Sequence, residues 1–203
     1  MSDELIIKDS PQFDRELPPP GDTIGVCFEV FNLGLQETPY GIKPQLMIYF
    51  EIDVRYSAGP FQGKRMLIGT RPYTASLSAK SNLRKDLEAW RGKPFNEYEL
   101  RGWNIKKIKG SAAILSIVHN DKGFADIAGI RKAVIMQDGK LIPMTAPFSL
   151  ETDPVYVPGR VQKMIEKQIV NENKETDKIA ERGWVDAGKV EGRPPTEKEI
   201  EIF

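Results

Sequence analysis

Hydrophobic and polar residues alternate with a period of two over three early stretches, shift to helical spacing, and then return to alternation. Residues 23–33 (TIGVCFEVFNL) are rich in β-branched and aromatic side chains, and Ile24, Val26, Phe28 and Val30 fall on one face. That pattern predicts a strand. Residues 34–44 carry two glycines and two prolines and predict a loop. A second strand follows over 45–54 (QLMIYFEIDV), with Leu46, Ile48, Phe50 and Ile52 inward and Met47, Tyr49, Glu51 and Asp53 outward. After a loop around Gly59-Pro60, residues 64–77 predict a third strand, with Pro72 marking an edge or bulge. In it Arg65, Arg71 and Tyr73 share parity, opposite Met66 and Ile68.

The helical part comes next. Ser81 is placed to cap a helix bearing Leu83, Leu87 and Trp90, which Gly92 stops. Asn96 caps a shorter helical stretch ending near Arg101. Residues 111–119 and 123–133 predict two strands joined by the turn Asn120-Asp121-Lys122-Gly123. The order β-β-β-α-β-β predicts a mainly β fold: a five-stranded, OB-like Greek-key barrel with a helix between strands 3 and 4.

Flanking segments divide the chain further. An N-terminal arm over 1–21 ends in Leu17-Pro18-Pro19-Pro20-Gly21, and the OB-like domain spans 22–136. An extension over 137–175 reads as extended around Pro143, Pro147, Pro154 and Pro158, then helical from Arg160, with Val161, Ile165 and Ile169 at helical spacing. Residues 176–203 predict a flexible acidic tail.

Charge changes the picture. The formal net charge is zero, yet residues 64–109 hold twelve basic and four acidic side chains. A ligand meets the local field, so a basic middle between acidic ends is the asymmetry to explain. No stretch approaches the ~20 apolar residues of a membrane span, and Met1-Ser2-Asp3-Glu4 has no basic leader character. Cys27, the one cysteine, has no disulfide partner in the chain, which suits a reducing cytoplasm.

Catalytic and metal-binding patterns find little support. His119 and Cys27 are single, and no phosphate-cradling glycine loop, nucleophile elbow or zinc-protease motif occurs. No enzyme, cofactor or metal is expected. Glu51 and Asp53 share a predicted strand face, which suits either a weak Mg²⁺ pair or an ordinary solvated edge. Single-strand binding instead needs cations for phosphates and aromatic faces for bases. Tyr49, Arg71 and Tyr73 are predicted on one exposed platform, with Tyr40 and Phe61 in flanking loops. Lys43, Lys64, Arg65 and Lys122 add charge, and Trp103 and Phe124 add rings. Each aromatic also has a structural reading: Tyr49 and Tyr73 suit a half-covered strand, Phe124 suits a core, and Trp90 reads as core.

Three phrases carry a resemblance. Tyr73-Thr74-Ala75-Ser76-Leu77 leads into Lys80 to Phe95, which contains LRKDLEAWRG; Lys109-Gly110 leads through Val118-His119-Asn120 to Phe124 and Ile130; Gly25-Val26-Cys27 leads to Leu33-Gly34-Leu35-Gln36. Together these resemble the phage single-stranded-DNA-binding replication proteins over residues 23–132, with Phe124 where that family usually has tyrosine. The resemblance implies an OB-like fold and binding of single-stranded DNA without sequence specificity, in the cytoplasm of an infected host. The end of the chain is similar to the acidic tips of bacterial single-strand-binding proteins: Glu199, Ile200, Glu201, Ile202 and Phe203 are expected to recruit replication or recombination proteins. A protein-interaction module without nucleic-acid binding is the alternative, and the oligomeric state, including a homo-oligomer, stays open.

Overall fold

The computed structural model describes residues 16–138 and 140–168. Two long strands dominate it: β1 (Gly21–Thr38) and β2 (Gly41–Arg55) form one antiparallel hairpin, paired from Thr38↔Gly41 to Gly25↔Ile52. The loop expected over 34–44 is therefore strand on both sides of a two-residue tip, Pro39-Tyr40. Its glycines serve other ends. Gly34, at φ +69°, sits at a bulge where its N–H donates to Asn32 Oδ1 at 2.8 Å, while Gly41, at φ +90°, closes the tip.

A second bulge in β1, between Cys27 and Glu29, breaks the predicted one-face alternation. An inserted residue reverses which way the following side chains point. Cys27 and Val30 consequently enter one core, while Phe28 and Leu33 enter another on the opposite face.

The remaining strands are β3 (Arg65–Gly69), the two-residue β4 (Tyr73–Thr74), β5 (Ala112–His119) and β6 (Ala125–Lys132). They assemble in the order β3-β2-β1-β5-β6, with β4 paired to β2 at Gln45 and Leu46. The fold is mainly β, as expected, and its sheet is antiparallel. It is not a closed barrel: among the described residues no ladder joins β3 to β6, and the Arg71–Asp126 ion pair, at 3.0 Å, links these edges instead.

The main core lies inside the curve of this sheet. Leu46, Ile48, Phe50 and Ile52 point into it from β2, as the alternation predicts. Helix α1 (Asn82–Arg91) covers them with Leu83, Leu87 and Trp90 and ends at Gly92, whose φ of +71° only glycine adopts freely. The Trp90 ring lies 5.2 Å from Phe50, and its Nε1–H donates to Ala112 O at 2.8 Å, so the indole is both packed and satisfied. The short α2 (Glu97–Arg101) starts at a capping box in which Asn96 and Glu99 satisfy each other's backbone N–H.

Two further elements follow. A hairpin of β7 (Val134–Gln137) and β8 (Lys140–Pro143) replaces the irregular extended chain expected there. Helix α3 (Gly159–Glu166) corresponds to the helix predicted from Arg160 to Glu175; it is capped at Lys167, and residues 169–175 lie outside the described residues. Val161 of α3 is fully buried against Phe28, Leu33, Met47 and Tyr49, with Met164 and Ile165 beside it. The extension thus forms a second layer on the outer face of the sheet. Of the arm over 1–21, residues 1–15 lie outside the described residues, as does the acidic tail.

Candidate nucleic-acid interface

Strand β2 was expected to turn Met47, Tyr49 and Glu51 to solvent, and all three are buried. Tyr49 meets Phe31 edge-on at 5.6 Å and lies over Gly69, where any Cβ would come within 2.5 Å of the ring. It is a packing residue, not an open stacking surface. Glu51 is fully buried, and its carboxylate accepts from Glu151 N at 3.1 Å, Thr152 N at 2.9 Å and Thr152 Oγ1 at 2.7 Å. With its lone pairs directed at the extension, Glu51 forms no open ligand pair with the exposed Asp53.

Arg65 is likewise drawn to the extension. Its guanidinium lies 4.2 Å over the Phe148 ring, donates to Asp53 at 3.1 Å and Glu151 at 2.6 Å, and is only 13% exposed. Arg55 grips the same Glu151 with two hydrogen bonds of 2.9 and 2.7 Å, which hold that carboxyl below its ordinary range.

Tyr73 departs from its predicted place for another reason. The strand breaks between Gly69 and Tyr73, at Thr70-Arg71-Pro72, so parity does not carry across it. Tyr73 packs on the inner core, and its hydroxyl donates to Asp86 Oδ2 at 2.6 Å; burial, then that carboxylate, push its phenol far above the usual range. Tyr49 and Tyr73 therefore lie on opposite faces of the sheet, and the predicted platform with Arg71 does not form. Trp103 also belongs to the core side, edge-on to Phe95 at 5.1 Å and half-buried.

The remaining candidates form three stations along β2. At the hairpin tip, Tyr40 is 88% exposed and Lys43 projects nearby. At the other end, the loop over 56–64 carries Phe61, 5.8 Å from Tyr56, and the exposed Lys64. Between them, Thr70, next to Arg71, donates its N–H to Ile48 O at 2.9 Å; Gly41 to Ile48 and Ile48 to Arg55 are seven steps each, or ~23 Å apiece at a strand's rise.

The middle station is the best built. Arg71 is 70% exposed and donates to Asp126 Oδ2 at 3.0 Å, and Asn120 Nδ2 donates to the same oxygen at 2.8 Å. Asn120 Oδ1 in turn accepts from the N–H groups of Lys122 at 3.0 Å and Phe124 at 3.1 Å, fixing the β5–β6 turn. These bonds tie the turn that carries the exposed Phe124 and Lys122 to Asp126, the partner of Arg71. The Asn120 hydrogen bond, aided by Arg71 and by the charge of Arg160, keeps the Asp126 carboxyl below its ordinary range. Sequence reading missed Asn120, Asp126 and Arg160. Asn120 opens the turn and so signalled itself as a turn former, whereas nothing local tied Arg160 to this place.

A separate cleft of about 470 Å³ opens between β1 and the extension, lined by Phe31, Ile105, Lys106 and the exposed Val155, Tyr156 and Val157. Among the described residues no group of three or more His, Cys, Asp or Glu side chains is placed to hold a metal ion, and no helix is long and apolar enough to cross a membrane. No family model, no curated protein and no solved structure matches the chain.

Proposed function

We propose that this protein binds single-stranded DNA non-enzymatically and without sequence specificity, on an OB-like sheet left open between β3 and β6. The strand order, with α1 between the third and fourth long strands, suits such a Greek key, whose strand face and hairpin loops commonly hold oligonucleotides. The observation that carries the reading is the Arg71–Asp126–Asn120 arrangement, which ties an exposed cation to the turn that bears the exposed Phe124. A phosphate pairs with the first and a base stacks on the second. Neither contact reads a base edge, so sequence selectivity is weak.

The wider role proposed from the family resemblance is protection of DNA in phage replication and recombination, in the host cytoplasm. Glu199 to Phe203 would recruit partners there; they lie outside the described residues. The second reading is a protein-interaction module, favoured by the apolar cleft at Val155, which is 81% exposed. Fluorescence anisotropy of a labelled oligo-dT, titrated at low and high salt, tests the first reading. Tight binding that weakens steeply with salt, and weaker binding to duplex, is the expected result. Absence of binding by both the full chain and a chain ending at Asn173 would overturn it.

A further inference from the structure

Helix α3 covers the outer sheet face, where an OB-like protein would be expected to lay its ligand. Two outcomes are open to such a cover: the ligand displaces it, or the cover itself becomes part of the binding surface. The structure favours the second. Val161 is fully buried, and undocking the helix would expose Phe28, Leu33, Met47 and Tyr49 together. Gln36, itself buried, donates from Nε2 to Met164 O at 2.9 Å, tying the helix to β1. Upstream in the same extension, Glu51 accepts from the backbone N–H groups of both Glu151 and Thr152.

The exposed side of the helix is cationic where it matters. Arg160, Lys163 and Lys167 are all exposed and fall within about 60° of one another at 3.6 residues per turn, flanking the buried stripe. One end of this row lies toward the middle station: Val161, next to Arg160, packs on Met47 and Tyr49, and Tyr49 is paired with Gly69, two residues before Arg71. Farther along, Gln36, which holds Met164, stands opposite Lys43 in the register, and Gln168 lies against Gly34, opposite Gln45. The row spans ~10 Å along the helix axis, and the helix passes the Lys43 rung of the hairpin at Met164.

We propose that Arg160, Lys163 and the capping Lys167 form a phosphate track along α3 and its C-terminal cap, joining the Arg71–Phe124 station to the Tyr40–Lys43 tip for one single strand of DNA. The proposal rests on the single-strand-binding reading. The occupant follows from charge: three cations in a row, with further cations and an exposed ring at each end, complement a flexible polyanion that carries bases. On this view α3 replaces the sheet face it covers and is not a lid over it.

The test uses the full chain carrying Arg160→Gln, Lys163→Gln and Lys167→Gln together, with oligo-dT anisotropy over a salt series. Three lost phosphate contacts reduce the slope of log K against log salt by about 2, at roughly 0.7 per contact, with an affinity loss of about tenfold or more at low salt. The thermal melt stays unchanged, because none of the three side chains is buried. A triple variant that binds with wild-type affinity and slope would overturn the track while leaving the single-strand-binding reading intact. Wild-type chain that binds no oligonucleotide would overturn both. Val161→Ala separates track from lid: loosening the helix lowers affinity for a track, and a rise in affinity would show a lid and overturn the proposal.

Discussion

Removing the Glu51 carboxylate is the sharpest test of how the extension is held. The side chain is fully buried on β2, while its hydrogen-bond donors belong to residues a hundred positions away: Glu151 N–H, Thr152 N–H and the Thr152 hydroxyl. Glu51→Ala leaves three donor groups without their acceptor. Each stranded buried donor costs about 1–3 kcal/mol. Glu151 is exposed and Thr152 half-buried, so water reaches part of the gap and the low end applies. About 3 kcal/mol of stability should be lost. Glu51→Gln retains one carbonyl oxygen but turns an NH₂ toward the donors, and should lose about half as much. Urea unfolding followed by tryptophan fluorescence reads the change as a lower midpoint at constant slope. Trypsin cleavage at Arg160 or Lys163 should also quicken as the extension loosens. Glu51→Ala within about 0.5 kcal/mol of wild type, with no gain in cleavage, would refute the claim that the extension rests on this carboxylate.

Four further outcomes follow from the same geometry. Phe124→Ala should weaken oligo-dT binding by about 1–3 kcal/mol and leave the melt nearly unchanged, whereas Tyr49→Ala should lower the melting temperature through lost packing; the reverse result would restore Tyr49 to the binding surface. The carboxyls of Asp22, Glu29, Glu88, Glu99, Asp126 and Glu151 all titrate below their ordinary values in the folded chain. Their stabilisation is therefore complete above the unfolded values and is lost as pH falls through the folded ones, so the urea midpoint should hold from pH 7 to about 5 and drop below about 4; an unchanged midpoint at pH 3 would contradict this. Burial pushes the Cys27 thiol far above its ordinary range, so a thiol reagent should label it only at the rate of unfolding; fast labelling of the native protein would show that β1 opens locally. Asp126→Asn should free Arg71 and loosen the link between the β3 and β6 edges, seen as faster amide exchange in the β5–β6 turn; unaltered exchange would show that the ion pair holds nothing.

Much of the fold was legible because local signals agreed. Leu83, Leu87 and Trp90 at helical spacing between Ser81 and Gly92 define α1, and the Asn120–Gly123 turn defines the β5–β6 hairpin. The inward alternation of β2 in the antiparallel sheet was equally legible. What failed were inferences that carried parity or composition across an irregularity. Two bulges in β1 and the break at Thr70-Arg71-Pro72 each reset which face the next residue takes. Glycine and proline at 34–44 marked a bulge and a tight tip, not a loop.

The candidate site was misread for a related reason, and the charge shows it best. The cationic surplus over 64–109 counted only acidic residues within that stretch. In the fold Arg65 meets Glu151, Arg71 meets Asp126 and Lys109 meets Glu29, all partners outside it. Sequence distance says nothing of such pairs, so the field is weaker than the surplus implied and concentrated where cations stay exposed. The second layer was foreshadowed, however. Phe28, Leu33, Met47 and Tyr49 are too apolar for a solvated face, and the Val161–Ile165 stripe had no assigned surface to pack against. Matching an apolar sheet face to an unplaced amphipathic helix leads to the observed packing. It also moves the expected ligand surface from the covered face of β2 onto the exposed residues of the helix.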